Sequence, residues 1–144
     1  MSELPITYRG VVYPWQCDHM NHMNVMWYVG KFDEATWNLL ALFGMTPASL
    51  KEMGVGMVAV KQEIAYKREV LAGETVTIRS GVLEVRAKSV RFFHEMTNNE
   101  SGEVAAVTVL TGVQIDAGTR KSCPFQEDVL VRGRSMVTNY DPGI

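Results

Sequence analysis

The chain has 144 residues, enough for one domain that buries about two thirds of its unfolded surface and too few for two. Hydrophobic residues make up 47% and charged residues 21%, an ordinary folded composition, and a formal net charge of -2 gives no reason to expect a nucleic-acid partner, which needs a basic surface. No apolar run reaches the roughly 18 residues of a membrane span, and the opening MSELPITYRG has neither the basic start nor the apolar stretch of a signal segment, so the expectation is a cytoplasmic protein without membrane insertion.

The first element in chain order is an extended run from Ile6 to Tyr13, with Tyr8 and Val11 among its core candidates, which Pro14 brings to a stop. Trp15 to Phe43 follows, a short polar segment running into the one long helical pattern. Val29, Phe32, Thr36, Leu39, Leu40 and Phe43 recur at spacings of 3 and 4 and predict one wide buried face. Asn21 or Asn24 caps the start and Gly44 the end. The free N–H groups of that start point toward Asp18, His19 and His22, and this is where a reactive site is expected. Thr46 caps a second, short helix with Pro47 in its first position and Gly54 beyond its end.

From Val55 the period changes to two, with Val58, Val60, Gln62, Ile64 and Tyr66 on one side and Ala59 and Ala65 on the other. Glu69 to Glu74 reads as a connection. Thr75 to Val85 is a strand, Arg86 to Lys88 a tight break, and Ser89 to Thr97 alternates Val90, Phe92, His94 and Met96 against Arg91, Phe93 and Glu95. Asn98 to Gly102 is a turn before the long strand Val104 to Ile115, so the last three strands form an antiparallel meander. Asp116 to Ile144 reads as a surface segment with one short helix near Pro124 to Val131. The sum is an α+β domain, a curved antiparallel sheet on one long helix. One helix leaves much of such a sheet uncovered, so a homo-oligomer is expected.

Asp18-His-Met-Asn-His22-Met-Asn24, followed by Trp27-Tyr28 and Phe32-Asp33-Glu34-Ala35, resembles the entry loop and central helix of hotdog-fold acyl-CoA thioesterases of the 4-hydroxybenzoyl-CoA thioesterase type. Arg120-Lys121 with Pro124 resembles the basic tail that follows the last strand. The resemblance implies a single hotdog domain over residues 1–144, a curved five-stranded antiparallel sheet wrapped around one long helix, with residues 117–144 as a peripheral C-terminal segment. It implies a homodimer or homotetramer that acts on an acyl-CoA substrate without a metal or other cofactor.

The resemblance places the catalytic aspartate at Asp18, as nucleophile or general base, and the oxyanion donor at the backbone N–H of Val25. The chemistry is sound, because a carboxylate beside a thioester carbonyl attacks it or activates water while helix-terminal N–H groups receive the developing negative charge. Asn24, His22, Tyr28 and Glu34 are the implied supporting residues. Arg86, Lys88, Ser89, Arg120 and Lys121 are the implied coenzyme A surface. Two positions depart from the family pattern: Asn21 stands where many relatives carry glycine, and Val25 where they carry asparagine.

Other readings of these residues compete. Asp18 can simply cap a turn. Cys17, Asp18, His19 and His22 include metal-ligand types, but no later pair completes a site, and Cys17 shows no aligned base. A hotdog dehydratase acting on a 3-hydroxyacyl thioester and a non-catalytic acyl-CoA-binding protein are the functional alternatives. Trp15, Trp27 and Trp37 offer rings for a cation–π contact to a quaternary ammonium acyl group. Cys17 and Cys123 read as reduced thiols.

Overall fold

The computed structural model describes residues 4–144. The order is β1 (Ile6–Val11), a 3-10 turn (Pro14–Gln16), α1 (Val25–Leu42), α2 (Pro47–Met53), β2 (Val55–Tyr66), β3 (Thr75–Val85), β4 (Ser89–Asn98), β5 (Val104–Asp116) and α3 (Glu127–Ser135). All five strands form one antiparallel sheet in the order β1-β3-β4-β5-β2. The meander of β3, β4 and β5 is as expected, and β2 joins it on the far side of β5.

The expected wrapping of a curved sheet around the helix is not found. The sheet is open, with β1 and β2 as opposite edges that do not pair with each other. The helix α1 lies mainly against β1 and β3, and a cleft separates its other flank from the first half of β2. Wrapping would need the edges to approach each other around the helix, and here the whole width of the sheet keeps them apart.

Local chemistry explains the element ends. The Asn24 side chain accepts the Met26 N–H, so α1 begins at Val25, and Gly44 takes φ 88° just beyond its C-terminus. Thr46 and Ser49 cap each other's backbone at the start of α2, and Gly54 ends it at φ 67°. The tail helix lies further on than the sequence suggests, at Glu127–Ser135. Glu127 and Asp128 open it and Arg132 and Arg134 close it, each sign matched to the helix dipole.

Two buried clusters hold α1 to the inner face of the sheet. One gathers Tyr28, Phe32 and Ala35 against Val76, Ile78 and Met96; the other gathers Leu39, Leu40 and Phe43 against Val82, Phe92 and Leu110, with Phe125 and Val129 from the tail. Val29, expected inside, is 41% exposed. In β2 the predicted alternation breaks at a bulge between Ala59 and Lys61. The extra residue moves Ala59 onto the face of Gln62, Ile64 and Tyr66 and Val58 onto the other.

The residues after α3 cross the outer face of the sheet. Thr138 donates to the Val82 carbonyl, the Tyr140 ring stacks on Phe93, and its hydroxyl donates to Glu95.

Candidate active site

The loop before α1 is closed on itself by Asp18 N–H to the His22 carbonyl, Asn21 N–H to the Asp18 carbonyl, and a bridge between Cys17 and Met23. Its tightest point is Asn21, at φ 65°. Asparagine is the side chain that best tolerates this glycine-like conformation, so the departure at this position keeps the turn.

Asp18 is held at both oxygens. Oδ1 accepts the Met20 N–H at 2.9 Å and Oδ2 accepts the Asn24 amide at 2.8 Å. The Asn24 bond first, then the Met20 bond, keep the carboxyl below the usual carboxylate range, with a smaller pull from His22. It is therefore an ionised, oriented base with lone pairs to spare. Asn24 performs two tasks, because its amide oxygen caps α1 while its amide nitrogen pins Asp18.

The N–H of Val25, the first helical residue, has no carbonyl four residues back within α1 and takes no capping bond among the described residues. His22 Nε2 stands 3.8 Å from Asp18 Oδ1, and His22 Nδ1 stands 3.6 Å from Glu69 Oε1. Beside them opens a cavity of about 200 Å³ whose lining includes His22, Val25, Tyr28, Tyr66, Lys67 and Glu69. Tyr28 is buried, donates to the Arg68 carbonyl and meets Tyr66 edge to face. Burial pushes its phenol up to about 12, so it is a neutral donor.

Asp18, His22, Asn24, Val25 and Tyr28 thus come together, and Glu34 does not. Glu34 is exposed on α1, lines neither this cavity nor the cleft beside β2, and makes no hydrogen bond or ion pair among the described residues. Arg86, Lys88, Ser89, Arg120 and Lys121 also converge, but elsewhere. Ser89 pairs with Val113, the Lys88 carbonyl accepts from Gln114, and residues 116–121 form the turn that closes β5. This cationic group lies at the end of the sheet where β3 finishes and β2 begins, whereas Asp18 lies where β3 begins and β2 finishes.

Several residues of the site had no local signal in the sequence. Glu69 reads as the start of a plain connection, with Lys67 and Arg68 just before it. They reach the site because Met23 N–H donates to the Val70 carbonyl, a contact across 47 positions. Asp33 and Trp37 line a second cavity of about 70 Å³ with Leu40, Met57, Phe92 and Leu110. Trp15 instead stacks on Tyr13, and Trp27 packs against the core. Among the described residues no group of three or more His, Cys, Asp or Glu is placed to hold a metal ion, and no helix is long and apolar enough to cross a membrane.

Residues 12–133 match the family described as Thioesterase-like superfamily. The chain belongs to that superfamily. Among curated relatives, a betainyl-CoA thioesterase of Pseudomonas aeruginosa is 25% identical over 132 residues, which cover 92% of this chain and 83% of the relative. Among solved structures, a hypothetical protein from Staphylococcus aureus in complex with CoA superposes with a TM-score of 0.87 at 17% identity, covering 98% of this chain and 91% of that one. A 1,4-dihydroxy-2-naphthoyl-CoA thioesterase from Synechocystis gives 0.79 at 17% identity, covering 91% and 96%. As a member of this superfamily the protein is a thioesterase by family, on a hotdog-like fold whose sheet stays open.

Proposed function

We propose that the protein hydrolyses an acyl-CoA thioester to a free carboxylic acid and coenzyme A in the manner of 4-hydroxybenzoyl-CoA thioesterases, with Asp18 as nucleophile or general base. The observation that carries this reading is the pairing of an ionised, doubly anchored Asp18 with the unspent N–H of Val25 at the start of α1. Nucleophile or activated water approaches the carbonyl carbon from the carboxylate side, and negative charge gathers on the carbonyl oxygen near the helix terminus. The departure at Val25 leaves this intact, because the donor is backbone. His22, Asn24 and Tyr28 support it, and Glu34 is the weakest member of the set.

The coenzyme A phosphates go to Arg86, Lys88, Ser89, Arg120 and Lys121 of a second copy. Within one protomer the eleven residues of β3 separate that group from Asp18, roughly 35 Å at strand rise. Two copies joined antiparallel through their free β2 edges bring the start of one β2 against the end of the other. The partner's Arg120 and the partner's Lys121 then approach Asp18. The exposed ridge Val25, Val29, Asp33 and Trp37 on α1, beside an exposed Val60 on β2, supplies apolar surface for that contact.

For the acyl group, the Asp33–Trp37 cavity favours a chain that spans the roughly 12 Å of helix between Val25 and Asp33 and ends in an alkylated cation. Its walls are hydrocarbon and aromatic, and Asp33 is its one charged lining residue among those described. Methyl groups contact Leu40 and Met57 while the charge meets a carboxylate and ring faces. The betainyl-CoA relative supports the cationic end.

A panel of short, branched, aromatic and cationic acyl-CoAs, assayed for free thiol, tests the proposal. Thiol release, greatest with the cationic acyl group, is the expected result. Tight binding with no release across the panel would make it an acyl-CoA-binding protein, and hydration chemistry without thiol release a dehydratase.

A further inference from the structure

The segment between β2 and β3 is sewn to the catalytic loop by two hydrogen bonds, Met23 N–H to the Val70 carbonyl at 2.8 Å and the Tyr28 hydroxyl to the Arg68 carbonyl at 3.3 Å. The same segment is tied to the sheet, since the N–H groups of Lys67 and Arg68 both donate to the Ala105 carbonyl. The backbone therefore sets Glu69 opposite His22. The ring of His22 lies between two carboxylates, with Glu69 3.6 Å from Nδ1 and Asp18 3.8 Å from Nε2. The neighbouring Arg68 guanidinium does not compete for Glu69, because it is engaged with Glu103 at 2.8 Å.

A neutral imidazole carries a single N–H and can donate to only one of these two carboxylates. Asp18 already accepts from Met20 and Asn24, whereas Glu69 accepts from nothing else among the described residues. The two separations are longer than formed hydrogen bonds, as catalytic contacts often are before substrate binds.

We propose that Glu69 is a positioning residue for the reaction at Asp18: it accepts the Nδ1–H of His22 and so turns Nε2 toward the Asp18 carboxylate and the cavity. The arrangement rests on the role given to Asp18 above. Glu69 touches neither the thioester nor the attacking group and acts through the ring. Held this way, Nε2 of His22 is an acceptor, and when Asp18 takes a proton from the attacking water the protonated carboxyl donates to it.

The side chain of Glu69 is 71% exposed, so substitutions there leave the fold in place. Steady-state kinetics on Glu69→Ala, Glu69→Gln, His22→Asn and the Glu69→Ala/His22→Asn pair form the test, with Asp18→Asn measured alongside. Glu69→Ala should lower kcat by up to about fivefold, the scale of one exposed charged contact, at unchanged KM. Glu69→Gln should recover most of that loss, because its amide oxygen accepts the same hydrogen bond. In the His22→Asn background, Glu69→Ala should cost nothing further. The proposal is overturned if Glu69→Ala leaves kcat unchanged, raises KM instead, or costs as much without His22 as with it. A fully active Asp18→Asn would overturn the underlying role of Asp18 as well, whereas an inactive Asp18→Asn beside a normal Glu69→Ala would remove Glu69 alone.

Discussion

At one end of the sheet, carboxylates, imidazole and phenols crowd around the start of α1; at the other, Arg86, Lys88, Arg120 and Lys121 surround the end of β5. The first end is built by long-range backbone contacts and is tightly bonded. The second is made of exposed side chains on turns, and Arg120 itself sits at φ 64° in one of them. One end has the order that bond-making chemistry requires, and the other has the charge and reach that suit a flexible polyanion. The proposed reaction draws on both, and the length of β3 keeps them apart within a protomer.

The sharpest way to break this division is Asp18→Asn. It keeps size and one of the two hydrogen bonds that Asp18 accepts, the other position becoming an NH2 that faces a donor, while removing the carboxylate; turnover should fall by roughly 10²-fold or more with the fold and analogue binding retained. Near-normal turnover would show that the ordered end is not where chemistry happens.

Mixing two impaired proteins, assayed at low salt and at substrate well below KM, sharpens the comparison. Asp18→Asn and Arg120→Ala/Lys121→Ala each damage a different end, and a mixed dimer contains one site with both ends intact. After subunit exchange, fully intact sites should make up about a quarter of all sites for random pairing, and activity at low substrate should rise above that of the unexchanged mixture. No recovery, with mass measurement showing mixed dimers, would place both ends in one protomer's site.

Between the ends, His94 joins helix to sheet through Thr36 on one side and Ser80 on the other. Burial pushes its imidazole from 6.5 down to about 3. The unfolded chain therefore binds a proton that the folded chain refuses. Stability from this group is complete above pH 6.5 and is lost as pH falls toward 3, by several kcal/mol in all. Urea unfolding at stepped pH should show the decline, and His94→Gln should flatten it.

The cationic end should respond to salt. Arg120→Ala/Lys121→Ala should raise KM several-fold at low ionic strength and much less at high, since salt already screens exposed charges. Equal KM at low salt would remove the pair from the site. The smallest effect belongs to Asn24→Ala, which deletes the main bond holding the Asp18 carboxyl low. The acid limb of kcat/KM should move upward in pH, toward the ordinary carboxylate value, alongside about 1 kcal/mol of lost cap stability.

What the sequence disclosed, and what it hid, follows the reach of the interactions. The caps at Asn24, Thr46 and Gly54, the strand from Thr75 and the loop around Asp18 are set by residues within a few positions of one another, and these were legible. The open sheet was not, because edge strands β1 and β2 are defined by partners at least 64 and at least 40 positions away, respectively. Glu69 stayed hidden for the same reason. Lys31 is a further case: it is buried at 2% exposure with its ammonium on the Tyr8 hydroxyl at 3.0 Å, a partner 23 positions away that helix spacing does not reveal.

The buried chain Thr7, Ser80, His94, Thr36 has a direction, and it can run either way. With Thr7 donating to Ser80, Ser80 to Nδ1, Nε2–H to Thr36 and Thr36 to the Phe32 carbonyl, every group is satisfied. With all four protons shifted, Thr36 donates to Nε2, Nδ1–H to Ser80, Ser80 to Thr7 and Thr7 to the Ile78 carbonyl, and every group is satisfied again. The interior of this protein therefore has two proton arrangements on one set of heavy-atom positions. The tautomer of a single ring reports which way the hydroxyl of Thr7 points, across the full thickness of the core between β1 and α1.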